Sequence, residues 1–398
     1  MRGRAALACA LAAACALVSS GPAAAAPGME IAVQDDPVFL HQDYYDRDLA
    51  LRQARELGVT RIRVSLIWST VVRPEPTRKR RPRHVTYDFS AFDSLIDAAA
   101  AYGIRLQVTI SGPAPAWATL DRKIGVFVPD AQQFGELVHA AARHFRGRVD
   151  RYSLWNEPNH LGWLAPKRYS ALRYREIYLE GYRAIKQEDP SAQVLIGELA
   201  PFARTRKVAT PPGRFLRLLT CQQLEYGGRR RQRSSCTRLH ADGFAHHPYQ
   251  YSKSPEYRFP GRDNFVIGTL RPLRLLLDRL ARRRLLSTPD GSPLDLYLTE
   301  FGYFTTGRLR LPESRRSTYL QRAYAIALRD PRVRQMLQYT LVSIPEEYTG
   351  SFFNLSLIRR DGTLTPPFHG LTSWVRRQAA TGGVKLPGGP LELPPAPP

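Results

Sequence analysis

The chain has 398 residues, of which 43% are hydrophobic, and its formal net charge at pH 7 is +23. This apolar fraction allows a large core, and the length suggests one large domain or two to three small ones. Arginine supplies most of the charge, in clusters at residues 78–83, 229–233 and 282–284. Because these clusters are scattered and not interleaved with aromatic residues, they favour a solvated basic surface over a nucleic-acid interface.

Residues 1–26 have the composition of a secretory signal. Two arginines precede an apolar run and an Ala-rich stretch, and we expect cleavage after Ala25 or Ala26. The apolar run is short for a membrane span, so no stable membrane insertion is expected after cleavage, and an uncleaved anchor is the alternative. The segment predicts a secreted or cell-envelope protein.

Two cysteines, Cys221 and Cys236, follow the predicted signal. In an exported protein this pair favours one disulfide that closes a polar loop, with two free thiols as the alternative. The cysteines lack nearby paired ligands, so they do not predict a zinc site.

Strand-like and helix-like segments alternate through the rest of the chain. Short apolar runs predict strands at 31–34, 59–68, 104–110, 149–155, 192–197, 241–247, 294–300 and 336–343. Helical spacing predicts helices at 46–58, 88–103, 130–147, 170–190, 213–224, 268–283, 313–330 and 369–380. Asp130 is a typical N-cap, and Gly58 is a typical helix stop.

Eight alternating units predict parallel pairing and a single (β/α)8 barrel. A doubly wound open sheet is the alternative, but no glycine-rich phosphate-binding turn follows the first strand. We expect the barrel domain to span 27–377. The Pro/Gly-rich tail at 378–398 predicts disorder.

Carboxylates lie at the ends of two predicted strands. Asn156 and Glu157 follow strand four, and Glu300 ends strand seven. Reactive residues of a (β/α)8 barrel project from the carboxyl ends of its strands. Glycoside hydrolysis needs two carboxyl groups there, one to protonate the leaving oxygen and one to attack the sugar or activate a water.

Other polar residues accompany these carboxylates. Arg63 lies in strand two and shares a strand face with Arg61 by alternation. His246 and His247 are adjacent, so only one of them can line the site, and a metal role is not expected because they lack partners at ligand spacing. Glu198 ends strand five, and we expect it to support the site rather than to act as a catalytic carboxylate.

The motifs "WNEPN" at 155–159 and "TEFGY" at 299–303 resemble those of the clan A glycoside hydrolases. The order of the motifs is similar to cellulase-type family 5 and to β-xylosidase-type family 39. The segment "YDFSAFDSLIDAAAAYGIRLQVTISGPAPAWA" also resembles family 39. The resemblance covers roughly residues 31–374. It implies a retaining (β/α)8 enzyme that cleaves O-glycosidic bonds of an oligo- or polysaccharide by double displacement.

The same resemblance implies a role for each matching residue. Glu157 would be the general acid/base and Glu300 the nucleophile. Asn156 would bind the sugar 2-hydroxyl, and Arg63 would keep Glu300 ionised, since a nearby cation lowers a carboxyl pKa. The remaining positions are Tyr249 and His247, which would hold Glu300 or the sugar, and Trp117, Trp163 and Tyr303, which would stack on sugar faces.

Strand eight departs from the family pattern. The family places a Trp there beneath the first sugar, whereas this strand reads "LQYTLVSIPEEY". Tyr339 or Tyr348 would have to substitute for it. The usual His-any-Tyr pattern at strand six is matched by His247, Pro248 and Tyr249.

Two alternatives to a glycosidase stay open. One is a catalytically silent glycan-binding barrel at the cell envelope, and the other is a basic envelope protein that binds an anionic polymer through its arginine clusters. The glycosidase hypothesis predicts a monomer with a carbohydrate substrate, no metal, no organic cofactor and no nucleic-acid partner. The sugar, the linkage and endo or exo action are not readable from the sequence.

Overall fold

The computed structural model describes residues 28–73, 75–203, 205, 207–222, 224–226, 229–231, 236–346 and 353–397, so the predicted signal at 1–26 lies outside the described residues. Eight parallel strands close into a barrel: β1 Glu30–Gln34, β2 Arg61–Ile67, β3 Arg105–Ser111, β4 Arg151–Leu154, β5 Gln193–Leu199, β6 Gly243–His246, β7 Leu296–Leu298 and β8 Val333–Tyr339. Each strand pairs with its neighbours along the chain, and β8 closes the barrel on β1. The predicted single (β/α)8 barrel is confirmed.

A helix follows each strand: α1 Arg47–Leu57, α2 Ser90–Ala101, α3 Ala131–His144, α4 Ser170–Glu188, α5 Pro212–Leu219, α6 Leu270–Arg282, α7 Glu313–Arg329 and α8 Pro366–Ala379. Two predicted helix boundaries are confirmed. The carboxylate of Asp130 accepts a hydrogen bond from the Gln133 backbone N–H at 2.9 Å. Gly58 ends α1 with φ 91°, a left-handed conformation that favours glycine.

Shorter elements decorate the loops. Helical turns lie at Pro37–His41, Trp68–Val71, Ala116–Ala118, Lys167–Tyr169 and Ile267–Thr269. Two-residue strands pair at Val72–Arg73 with Thr86–Tyr87 and at Leu239–His240 with Leu286–Ser287, and Leu224–Tyr226 pairs with Arg229–Arg231. None of the helices in the described ranges is both long and apolar enough to cross a membrane.

The two faces of β2 explain why the barrel can hold charged residues inside. Ile62, Val64 and Leu66 belong to the hydrophobic core. The alternate residues Arg61 and Arg63 are also buried, and Arg63 hydrogen-bonds across to a side chain of β3. Because alternate residues of a strand point to opposite faces, the predicted shared face of the two arginines is the barrel interior. Burying them requires carboxylate partners.

Two predicted elements differ from the observed ones. Strand eight was predicted at 336–343, but β8 ends at Tyr339. The backbone N–H groups of Leu341 and Val342 donate to the buried Asp35 carboxylate at 3.0 and 2.9 Å, so they are not available to a strand ladder. Helix α5 ends at Leu219 instead of near 224, because Cys221 adopts a left-handed φ of 58°.

Cys221 and Cys236 form the predicted disulfide, with their Cα atoms 6.2 Å apart.

The segment after α8 lies against the amino-terminal end of the barrel. The Lys385 backbone N–H donates to the Met29 carbonyl at 3.1 Å, and the Leu391 N–H donates to the Ala100 carbonyl at 2.8 Å. Disorder of 378–398 in solution stays a prediction.

Candidate active site

The Asn-Glu pair leaves β4 through a tight turn. Trp155 and Glu157 have left-handed φ angles of 68° and 35°, and Asn156 lies between them. The Glu157 backbone N–H donates to the Glu198 carbonyl at the end of β5, at 2.9 Å. Left-handed φ angles are strained for residues other than glycine and cluster at functional sites. Here they direct the Glu157 side chain into the barrel mouth, where it is partly exposed (18%).

Glu300 lies opposite, beyond β7, with three polar partners. Arg63 Nη1 donates to its Oε1 at 2.9 Å, and the Tyr249 hydroxyl donates to its Oε2 at 2.9 Å. His247 Nδ1 is 3.5 Å from Oε2. The predicted contacts of Arg63 and Tyr249 with Glu300 are therefore present in the structure.

The pKa of Glu300 differs from the expectation. Burial raises it, the nearby Glu157 carboxylate raises it further, and His247 and Arg63 act in the opposite direction. Arg63 has the predicted effect, but burial outweighs it, so the pKa of Glu300 lies above its ordinary value of 4.5. Burial also raises the pKa of Tyr249 well above 10, so its hydroxyl keeps the proton that it donates.

His247 bridges two carboxylates. Its Nδ1 lies 3.0 Å from Glu157 Oε1, and its Nε2 lies 2.7 Å from Glu198 Oε2. An imidazolium, with hydrogen on both ring nitrogens, can donate to both carboxyl groups. Burial lowers the pKa of His247, but Glu300, Glu157 and Glu198 outweigh it and raise the pKa to about 9.

Glu198, predicted from its position at the end of β5 to support the site, lies behind His247. It is completely buried, and it contacts His247 Nε2, the Thr299 hydroxyl at 2.5 Å and Arg63 Nη2 at 3.3 Å. Burial raises its pKa, but Arg63 and His247 outweigh that effect and lower it to about 2. In the sequence, only its position at the end of a strand indicates that Glu198 belongs to the site. The residues that contact it come from three other strands.

The cluster contains one more carboxylate than cations. Glu157, Glu198 and Glu300 face two positive groups, Arg63 and the His247 imidazolium. A neutral cluster therefore holds one additional proton. Glu300 has Arg63 and Tyr249 as donors, and Glu198 has Arg63, His247 and Thr299, whereas His247 is the donor that faces Glu157. Among the described side chains, Glu157 therefore has the fewest hydrogen-bond donors of the three carboxyl groups.

Other predicted site residues have different positions. Arg63 Nη2 donates to the side-chain oxygen of Asn156 at 2.9 Å and orients its amide. Trp163 is half-buried, and its carbonyl accepts a hydrogen bond from Trp155 Nε1 at 2.7 Å. Trp117 and Tyr303 belong to the hydrophobic core, with exposures of 3% and 0%. A ring without an exposed face cannot stack on a sugar, so the structure does not bring these two rings to the mouth.

Aromatic side chains line the mouth beside Glu300. The Tyr249 ring stacks on Tyr251 with a centroid distance of 5.3 Å. Phe353 contacts both rings and approaches Tyr339, which ends β8, at 6.5 Å. Tyr339, one of the two predicted substitutes for the Trp, is half-buried, whereas Tyr348 lies outside the described residues.

The structure also brings ligand atoms of Glu157, His247 and Glu300 within 4.8 Å of one another. The prediction of no metal at the histidines rested on their spacing in the sequence. That argument no longer holds, because the fold brings carboxylates from distant segments next to His247. The donor set nevertheless suits a metal poorly, because the His247 imidazolium offers no lone pair and Arg63 already contacts Glu300.

This architecture is similar to solved structures of glycoside hydrolases. A family 39 glycoside hydrolase from Bacteroides cellulosilyticus aligns with a TM-score of 0.62 and 20% identity, over 87% of this chain and 63% of that chain. A monomeric β-xylosidase from Caulobacter crescentus aligns with a TM-score of 0.57 and 20% identity, over 88% and 69%. The GH5_18 protein from Streptomyces cattleya aligns with a TM-score of 0.60 and 17% identity, over 89% and 81%.

These similarities establish the fold. The chain spans less than two thirds of the length of the Bacteroides protein. No family model matches the sequence, and no curated protein matches it. The predicted resemblance to families 39 and 5 is confirmed in the architecture, and the chemistry depends on the geometry of the site.

Proposed function

We propose that this protein is a secreted retaining glycoside hydrolase, with Glu157 as general acid/base and Glu300 as nucleophile. One observation carries the proposal: the two carboxyl groups, from opposite strands of the barrel, have oxygens within 4.8 Å of each other. Retaining enzymes hold their carboxyl groups about 5–5.5 Å apart, whereas inverting enzymes need roughly 6.5–9.5 Å to admit a water.

In the first step, a Glu300 oxygen forms a bond to the anomeric carbon while the bond to the leaving oxygen breaks. The Glu157 proton moves to that leaving oxygen. In the second step, the Glu157 carboxylate takes a proton from water, the water oxygen bonds to the anomeric carbon, and Glu300 leaves as a carboxylate. The proton returns to Glu157, so the cycle closes without an external acid or a cofactor.

The charge count suits this cycle. Before reaction, Glu198 and Glu300 are ionised against Arg63 and the His247 imidazolium. In the glycosyl-enzyme Glu300 is an uncharged ester, and Glu157 has become the second carboxylate. The cluster is neutral in both states, so the first step does not leave an unpaired charge in a buried site. His247 contacts both Glu157 and Glu300 and therefore stabilises whichever of them is ionised.

An amide and several aromatic rings at the barrel mouth bear on the substrate. Asn156 is oriented by Arg63 toward the position of a sugar hydroxyl, and Tyr339, Tyr251 and Trp163 offer partly exposed rings at the mouth. These groups support an oligo- or polysaccharide substrate. The Cys221–Cys236 disulfide supports an exported protein, since disulfides persist in oxidising compartments. We also propose that the protein is a monomer.

Azide rescue of Glu157→Ala tests the mechanism on aryl glycosides. The variant should accumulate glycosyl-enzyme and regain turnover with azide, because this small anion attacks without general-base help. The glycosyl azide should retain the anomeric configuration. The matched control is Glu176→Ala, an exposed helical glutamate that should behave as wild type. An azide product of inverted configuration, or full activity of Glu157→Ala alone, would contradict the proposal.

A further inference from the structure

Exposed apolar side chains are concentrated at the catalytic end of the barrel. Ten large apolar side chains are exposed in the described part of the chain, and six of them lie on the loops after β3, β4 and β5. These six residues form what we call the apolar rim: Leu120, Ile124, Phe127, Leu161, Tyr169 and Val208. Leu120 is 67% exposed, the largest fraction of the ten. The loop after β4 also carries Glu157, so the rim borders the candidate active site.

Backbone contacts join the three loops into one surface. The Leu120 N–H donates to the Phe127 carbonyl at 3.2 Å, which closes the loop after β3 on itself. Phe127 forms a bridge with Ala165 of the next loop. The Leu161 N–H donates to the Val208 carbonyl at 2.8 Å, which joins the loops after β4 and β5. The backbones of the three loops that carry the rim are therefore connected to one another.

Basic side chains are interspersed with the rim. Arg122 and Lys123 lie between Leu120 and Ile124, and Lys207 precedes Val208, all three exposed. Arg122 Nη1 also donates to the Lys79 carbonyl at 3.5 Å, which joins the rim to the exposed basic segment at 78–83.

The same three loops contain few acidic groups. Residues 112–130, 155–169 and 200–211 include Asp121, the helix cap Asp130 and the catalytic-site Glu157. Asp121 is the exposed one of the three. The rim surface is therefore apolar and positively charged together.

The combination of apolar and basic side chains on the rim favours some binding partners over others. Four of the six rim side chains are aliphatic and lack the flat faces with which aromatic rings stack on sugars, so the rim as a whole is poorly suited to a soluble glycan. A second copy of the chain would bring like charges together across a symmetric contact. An anionic bilayer suits both features, because apolar side chains enter the boundary between headgroups and acyl chains while Lys and Arg contact the anionic headgroups.

We propose that the apolar rim docks the catalytic end of the barrel on an anionic lipid membrane, and that the substrate is a saccharide linked to lipid in that membrane. The substrate part rests on the proposed glycosidase function. Docking through the loops after β3, β4 and β5 places Glu157 and Glu300 next to the headgroup layer, so a short lipid-linked saccharide can enter the mouth without leaving the bilayer.

Vesicle flotation of the purified full chain tests the docking. The probes are phosphatidylcholine vesicles with and without phosphatidylglycerol. The wild type should float with the anionic vesicles, more weakly as salt increases. The triple variant Leu120→Ser/Ile124→Ser/Phe127→Ser should lose bound fraction by about tenfold or more, since each apolar group that enters the interface adds to the affinity. Arg122→Gln/Lys123→Gln should bind about tenfold more weakly.

The matched control is Leu179→Ser/Leu275→Ser, which removes exposed leucines from α4 and α6 and should float as the wild type does. All variants share residues 1–27, so differences between them report on the rim. A wild type that fails to float, or a triple variant that floats like the wild type, overturns the proposal. Retention on a soluble anionic polysaccharide without vesicle binding overturns it as well and assigns the basic residues to a polymer.

Failure of docking and failure of the proposed hydrolase are distinguishable. Glu300→Gln should float like the wild type and hydrolyse no aryl glycoside. A wild type that hydrolyses aryl glycosides but does not float overturns docking alone. A wild type that floats and hydrolyses no aryl glycoside overturns the hydrolase and with it the lipid-linked substrate.

Discussion

The barrel interior contains two ionic clusters, built from arginines two residues apart on β2. The lower cluster surrounds Arg61 at the amino-terminal end, where Arg61 and Arg151 pair with Glu30 and Asp150. The upper cluster surrounds Arg63 at the carboxyl end and contains His247 with Glu157, Glu198 and Glu300. The clusters therefore share a strand face and differ in their charge balance.

In the lower cluster the buried Arg61 and Arg151 meet the carboxylates of Glu30 and Asp150, and the exposed Arg105 lies 3.8 Å from Asp150. Burial raises the pKa of Glu30, but Arg61 and Arg151 outweigh it and lower the pKa to about 2. Each charge there has a partner over the whole neutral range, so the cluster stabilises the fold and exchanges no proton. The upper cluster has one carboxyl group more than it has cations, and in the proposed reaction that carboxyl group carries the proton that moves. The two clusters therefore differ in which charge is in excess: carboxyl groups in the upper cluster and arginines in the lower one.

The largest expected contrast is in activity. Glu300→Gln removes the nucleophile and should lower kcat/KM on aryl glycosides on the order of 10⁴-fold or more. Its thermal stability should change little or increase, because the substitution removes the excess carboxylate. The measurement is turnover together with thermal unfolding of the same preparation. Glu30→Gln serves as the matched control and should keep wild-type kcat/KM. Equal activity loss in both variants would contradict the separation of roles.

The next contrast is in stability. Glu30→Gln leaves two buried arginines with Asp150 alone and should reduce the free energy of unfolding by about 3 kcal/mol. The contribution of Glu30 is present above its ordinary pKa of 4.5 and is lost as pH falls through about 2. The difference from wild type in urea unfolding should therefore shrink in acid.

The exposed pair Arg52–Asp48 provides the control for that measurement. Asp48→Asn should cost less than about 1 kcal/mol, because surface ion pairs contribute little. An equal cost for the two variants, or a Glu30→Gln deficit that persists at low pH, would argue against a stabilising buried ion pair at Glu30.

The smallest effect is a shift in pH dependence. In the wild type the His247 imidazolium persists at neutral pH and is lost as pH rises through about 9, because its pKa is raised. Glu198→Gln removes one of the carboxylates that raise this pKa. The basic limb of kcat/KM should then move to lower pH by about one unit. The measurement is a pH–rate profile on an aryl glycoside.

Thr299→Val is the matched control, since it removes the hydroxyl that donates to Glu198 and leaves the charge in place. It should leave the basic limb near its wild-type position. A Glu198→Gln enzyme with lower kcat and an unshifted limb would assign Glu198 a structural role only.

Much of the fold was predictable because its signals are local. Alternating apolar runs and helical spacing predicted the eight βα units, and caps such as Asp130 and Gly58 marked boundaries correctly. The Asn156–Glu157 pair and Glu300 were predicted at strand ends, where the structure places them. In each case the signal lies within about ten residues of the chain.

The less accurate predictions depended on contacts between distant segments. β8 ends early because Asp35, some 300 residues before Leu341 in sequence, captures the next backbone N–H groups. Trp117 and Tyr303 look like stacking rings in the sequence but lie in the core. Glu198 was predicted as a supporting residue, but its partners Arg63, His247 and Thr299 could not be identified from the sequence.

The sequence by itself determined the barrel, the two candidate catalytic carboxylates and the disulfide pair, because periodicity, strand ends and cysteine number are properties of single segments. The tertiary structure alone decided the charge balance of the two clusters, the bridging position of His247 and the joining of three loops into the apolar rim. The physical reason is that ionisation and exposure depend on the distance between residues on different strands. Barrel closure sets that distance.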